Sequence, residues 1–175
     1  MNRRNVLSTA LASAFLSLPD CPAWADDSPV AIVRMLYKVS AGKDGKYSGG
    51  SAFLDAKIRA RYFSARLVGE LAALEKKSNA SNEVGLDFDP ITNSQDPSVT
   101  NLKIEQDGES DGEAGVKASF SSHGDPGNNV VRFIFVREKN AWRLDNMTGV
   151  QTRSPENTAW DLRKLIATIT KEFGK

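Results

Sequence analysis

The hydrophobic pattern of this chain switches from helical to strand period near Val99, and that switch restricts the fold more than any other feature of the sequence. Before it, apolar residues recur at helical spacing: Leu67, Leu71 and Leu74 share one face of a segment from Ser64 to Lys77. After it, Leu102 and Ile104 alternate with Lys103 and Glu105, and Val116, Ala118 and Phe120 alternate with Lys117, Ser119 and Ser121. That period of two belongs to strands with one dry and one wet face. Helices followed by strands imply an α+β class, a curved antiparallel sheet of about four strands with N-terminal helices and a C-terminal helix packed on it.

Local signals set the expected boundaries. Ser28 and Pro29 start a first helix over about 30–39, the serine as cap and the proline preset for the first turn, with Gly42 and Gly45 ending it. Phe53 to Phe63 reads as a short helix, Ser64 to Lys77 as a longer one, and the polar run Lys76 to Glu83 as a surface loop. Leu86 to Pro97, dense in Asp, Asn and Pro, fits neither period and reads as irregular but ordered. The stretch Asp107 to Gly112, with two Asp-Gly pairs, reads as a hairpin turn. Val130 to Val136 is apolar on both faces apart from Arg132 and reads as an inner strand covered on two sides. Trp142 to Met147 follows as a fourth strand after a tight turn at Lys139-Asn140. Thr158 then opens a helix with Asp161 as its capping-box partner and a buried stripe of Leu162, Leu165, Ile166, Ile169 and Phe173.

The first 25 residues read as an export signal. Arg3 and Arg4 precede a mostly apolar stretch from Val6 to Leu18, and Ala23-Trp24-Ala25 offers the small-x-small pattern of a cleavage site. Arg3 to Leu7 fits a twin-arginine motif as well as the general secretory route. Pro19 and Asp20 before Cys21 speak against a lipid anchor at that cysteine. The expected mature chain, residues 26–175, is then one domain in the periplasm or outside the cell, with no membrane span. The chain has 23 Lys and Arg against 22 Asp and Glu; without Arg3, Arg4 and Asp20 the balance is 21 of each. Interspersed charges near neutrality give no electrostatic hold on nucleic acid. Cys21 is the only cysteine, so the mature chain has no disulfide or thiolate metal site and depends on its own core.

The chemistry-bearing candidates concentrate in Asp87, Asp89, Asn93, Gln95 and Asp96, five oxygen-bearing side chains in ten residues. Such density suits hard cations, but the spacing lacks the glycine and order of a calcium loop, and short polar side chains also hold irregular loops by bonding backbone N–H groups. The reading adopted is loop-holding, with no metal and no cofactor. A proton-transfer role would fall to Asp87, Asp89 or Asp145, with Tyr37, Tyr47 or Tyr62 as hydrogen-bond donors. Asp145 has a structural alternative, pairing with Arg143 or a helix terminus. Asp107, Glu109, Asp111 and Glu113 read as a solvated hairpin tip, and His123, the one histidine, lies in a turn.

Tyr62-Phe63-Ser64, Arg66-Leu67, Leu86-Asp87-Phe88-Asp89-Pro90 with Gln95-Asp96, and Trp142-Arg143-Leu144-Asp145-Asn146 stand in this order behind the signal. This set resembles an exported bacterial family, domain of unknown function 3828, itself similar to the nuclear-transport-factor-2-like superfamily. The resemblance implies a cone-shaped domain in which a bent sheet leaves a pocket, and it lends no catalytic residues. Three functions follow as expectations. The first is a non-catalytic envelope module that binds a small ligand or an envelope protein, as monomer or homodimer, through Asp87, Asp89, Asn93, Gln95, Asp96, Tyr37, Tyr62 and Asp145. The second is a small hydrolase- or isomerase-like enzyme using a buried Asp. The third is an immunity or inhibitor protein for a secreted toxin.

Overall fold

A computed structural model describes residues 28–42, 50–122, 125–151 and 158–173. The segment expected to be an export signal, Tyr47 and His123 lie outside the described residues. Four helices and five strands follow in the order α1 (Pro29–Ser40), α2 (Ala56–Tyr62), α3 (Ala65–Ser81), β1 (Thr100–Ser110), β2 (Glu113–Ser122), β3 (Asp125–Glu138), β4 (Ala141–Gln151), β5 (Thr158–Asp161) and α4 (Leu162–Glu172). The strands form one antiparallel sheet in the order β1-β2-β3-β4-β5. The α+β class is therefore as the periodicity implies, with a fifth strand added. No helix among the described residues is long and apolar enough to cross a membrane.

The cap acts as the sequence proposes at α1, and Ser64 turns out to cap α3. The Ser28 hydroxyl accepts from Ala31 N at 3.3 Å with Pro29 in the first turn, and the Ser64 hydroxyl accepts from Leu67 N at 3.0 Å. Leu67, Leu71 and Leu74 are the buried face of α3. That helix runs on to Ser81, through the segment expected as a loop. Nothing between Lys77 and Ser81 breaks a helix; the stop comes from Asn82, left-handed at φ 54°, whose N–H reaches the Ser78 carbonyl.

Three strand expectations need correction, each for a physical reason. The first Asp-Gly pair does not turn the hairpin: Gly108, at φ 97°, sits in a bulge of β1, and the chain reverses at Asp111-Gly112 between the paired Ser110 and Glu113. On β3, Val131, Phe133 and Phe135 are buried but Ile134 is 37% exposed, so the sheet is covered on one face only, and the apolar run overstated the burial. Thr158 starts a strand rather than a helix. Residues 158–161 pair with 148–151, and Asp161 becomes the cap of α4, its carboxylate accepting from Lys164 N at 3.2 Å. Leu162 and Ile166 of the expected stripe are fully buried; Leu165, Ile169 and Phe173 pack at its margin. The Lys139-Asn140 turn is as expected, both residues having positive φ (50° and 65°) between the paired Glu138 and Ala141.

The core lies between the inner sheet face and the helices. Tyr37 of α1 meets Phe120 and Phe133 edge to face, at 5.7 and 6.0 Å between ring centres. α1 packs on β1 and β2, while α3 and α4 pack together with α4 against β4 and β5.

Candidate functional site

Asp89 is the best-connected of the sequence candidates. Its carboxylate accepts from the Ser51 hydroxyl and from Ile91 N, each at 2.8 Å, which ties the residue 51 loop to the residue 89 loop. Ser40 is buried on the last turn of α1 and accepts from Ala52 N at 3.0 Å, which ties the helix end to the residue 51 loop. The Asp89–Ser94 backbone bridge closes the loop on itself. Burial raises this carboxyl above the usual carboxylate range despite the opposing bonds.

Tyr37, three residues before Ser40, responds to the same charge. Burial, and then the charge on Asp89, push its phenol well above the ordinary value. Its hydroxyl is buried with no hydrogen-bond partner among the described residues. Tyr37→Phe should therefore leave stability unchanged or raise it by up to about 1 kcal/mol, because it removes a polar atom that costs energy when unpaired. A loss of more than that on chemical denaturation would show that the hydroxyl has a partner.

Beside Asp89 opens a cleft of about 380 Å³. Phe53, Leu54, Leu86 and Phe88 supply apolar wall, and Asp87, Asp89, Ser94 and Gln95 supply polar groups. Gln95 Nε2 approaches Asp87 Oδ2 at 3.4 Å, both residues being exposed. Asp96 is exposed outside this lining, its N–H donating to the Ser94 hydroxyl at 3.1 Å.

Asn93 is engaged elsewhere. Left-handed at φ 53°, it donates from Nδ2 to the Val150 carbonyl at 2.6 Å and accepts the Trp160 indole N–H on Oδ1 at 2.8 Å. It thereby clasps β4 and β5 to the loop, the loop-holding role that short polar side chains fill. Tyr62 lies apart, under the Arg61 guanidinium at 5.0 Å.

Asp145 belongs to a separate ion-pair network, and its partners are not Arg143. Ile134 pairs with Asn146 and Phe135 with Leu144, so Asp145 is the extra residue of a β4 bulge. It accepts from the Ser64 hydroxyl at 2.7 Å and pairs with Arg66, whose Nε is 3.1 Å away; Arg163 stands at 3.8 Å. Arg163 in turn forks onto Glu70 at 2.6 and 2.8 Å. Arg143 donates to the Arg61 carbonyl instead. Burial acts to raise the Asp145 carboxyl, but the bonds and charges of Arg66, Ser64 and Arg163 outweigh it and hold the group below its ordinary value.

Carboxyl carbon shifts followed by NMR over a pH titration should accordingly place Asp89 above, and Asp145 below, the ordinary aspartates. The reverse order would undo both assignments.

Ser40, Ser51, Ser64, Arg66 and Arg163 are the partners that sequence reasoning missed. Ser64 stands where the sequence starts a helix, but nothing in the sequence pairs these serines with an aspartate far along the chain. Comparison with family models, with curated proteins and with solved structures returned no match.

Proposed function

We propose that this chain is an exported bacterial envelope protein whose domain is a non-catalytic binding module, taking a small ligand or partner segment in the cleft beside Asp89. The observation that supports this is the cleft itself, an apolar wall facing a few convergent polar groups, the usual make-up of a small-molecule site. Asp145 is committed to two arginines and a helix cap, which supports a structural role for it. The signal-like pattern of residues 1–25 and the family resemblance support the envelope location.

Native mass spectrometry of the protein released gently from the envelope tests the reading. A bound mass is expected in the parent and lost from Leu54→Asp, a change at a 68% exposed wall residue that the fold tolerates. A clean chain mass, or a bound mass kept by Leu54→Asp, would count against it.

One observation favours a second reading, an enzyme using Asp89: the carboxyl is raised by burial and lines the cleft. That reading fails if Asp89 titrates in the ordinary carboxylate range.

A further inference from the structure

A second cleft, of about 530 Å³, lies between α1 and the start of β1. Arg34, Tyr37 and Lys38 of α1 line one wall. Positions 34 and 38 are four apart, so both cations stand on the same helix face. Both are exposed, and neither makes an ion pair or hydrogen bond with any described residue. Lys38, in the last turn, also offsets the helix dipole; Arg34, one turn earlier, has no such duty.

On the β1 side Val99, Leu102 and Ile104 supply apolar wall, with Leu102 39% exposed, and Thr100 and Asn101 supply uncharged polar groups. A bulge produces that exposure: β1 advances from Thr100 to Lys103 while β2 goes only from Ser121 to Ser119, with Asn101 left-handed at φ 53°. Bulges of this kind re-aim side chains at sites. Among the described residues, no carboxylate lines the cleft.

We infer that this cleft binds a small amphipathic carboxylate, its head on Arg34 and Lys38 and its aliphatic body along Leu102 and Ile104. The charge pattern selects an anion, since two cations without a partner among the described residues face a lining that, among those residues, holds no acidic group. Guanidinium is the cation best matched to a carboxylate, which it can engage through two parallel bonds. The size suits a small molecule. A strand-like peptide is disfavoured although β1 is an edge strand, because its two bulges, at 100–103 and 106–109, interrupt the regular ladder a peptide would extend. The assignment does not rest on the cleft beside Asp89, whose lining shares none of these residues.

Titration calorimetry of the purified protein with sodium octanoate tests it, with octylamine, octanol, inorganic phosphate and an unstructured peptide as comparison probes. Octanoate should saturate a single site and weaken as salt is raised. It should bind Arg34→Gln/Lys38→Gln at least about tenfold more weakly, roughly the loss of one charge-assisted contact. Leu102→Asp should abolish binding, and Leu54→Asp, in the other cleft, should leave it intact. All these positions are exposed, so unchanged thermal unfolding should accompany the losses. Octanoate that fails to bind, or binds the double variant equally well, overturns the proposal. So does phosphate or octylamine binding as tightly as octanoate, or a peptide that binds at this site in its place.

Discussion

Gly149→Ala should destabilise the protein by about 3 kcal/mol, the upper end for one added methyl group in a packed interior. A Cβ built on Gly149 would lie 2.5 Å from Trp160 Cζ2 and 2.7 Å from Cε2, closer than real carbon atoms approach. The two residues are paired across β4 and β5. Trp160 cannot retreat, because Phe88 packs against its ring at 5.4 Å and Asn93 holds its indole N–H. The added methyl therefore displaces the tryptophan and opens the clasp joining β5 to the loop that carries Asp89. Equilibrium denaturation measures the loss, and a variant within about 0.5 kcal/mol of the parent would refute the packing argument. Gly69→Ala is the matched control. It lies within α3 with nothing near its Cβ position, and alanine there should stabilise by about 0.5–1 kcal/mol through helix propensity.

Asp145→Ala should cost about 3 kcal/mol. It removes the acceptor that positions the Ser64 cap and leaves Arg66 without its ion-pair partner, while Arg163 keeps Glu70. Much of the Arg66 side chain is in water, which keeps the effect below that of a fully buried pair. Asp145→Asn keeps the shape and an acceptor for Ser64, so about half that loss is expected. The pH dependence separates charge from shape. The folded-state carboxyl lies below its unfolded value of about 3.9, so its contribution is complete above that pH and disappears as pH falls through the folded value. The parent should therefore lose stability steeply below about pH 4, and the asparagine variant should lose less over that interval. Asp89 acts in the opposite direction. Its folded-state value is raised, so the folded protein takes up that proton first and its contribution improves as pH falls through that value. An asparagine variant at 145 with the parent's acid slope would show that the network does not govern acid stability.

Much of the fold was legible because local rules wrote it. Ser28-Pro29 and Ser64 carry their caps in their own side chains, Lys139-Asn140 tolerates the left-handed turn, and the shift in period at Val99 announces a sheet after helices. Local rules failed where a distant partner decided the outcome. Thr158 to Asp161 reads equally well as a helix start, and only pairing with β4 makes it a strand. Ile134 looks like its buried neighbours until the sheet proves to be covered on one side.

The same division holds at the sites. By itself the sequence determined that residues 86–97 are an ordered irregular segment, dense in side chains that bond backbone N–H groups, since that capacity is intrinsic to Asp and Asn. Tertiary structure alone decided which of those side chains does what. Asn93 is spent on Trp160 and Val150, Asp89 on Ser51 and its own loop, and Asp145, aimed inward by a bulge, on arginines from two helices. Most of these contacts join residues far apart in the chain, and a hydrogen bond across such a distance leaves no periodic or spacing signal. The cleft at Arg34 and Lys38 has the same origin: the helical spacing was always readable, but the apolar wall opposite it exists only because β1 bulges as it passes.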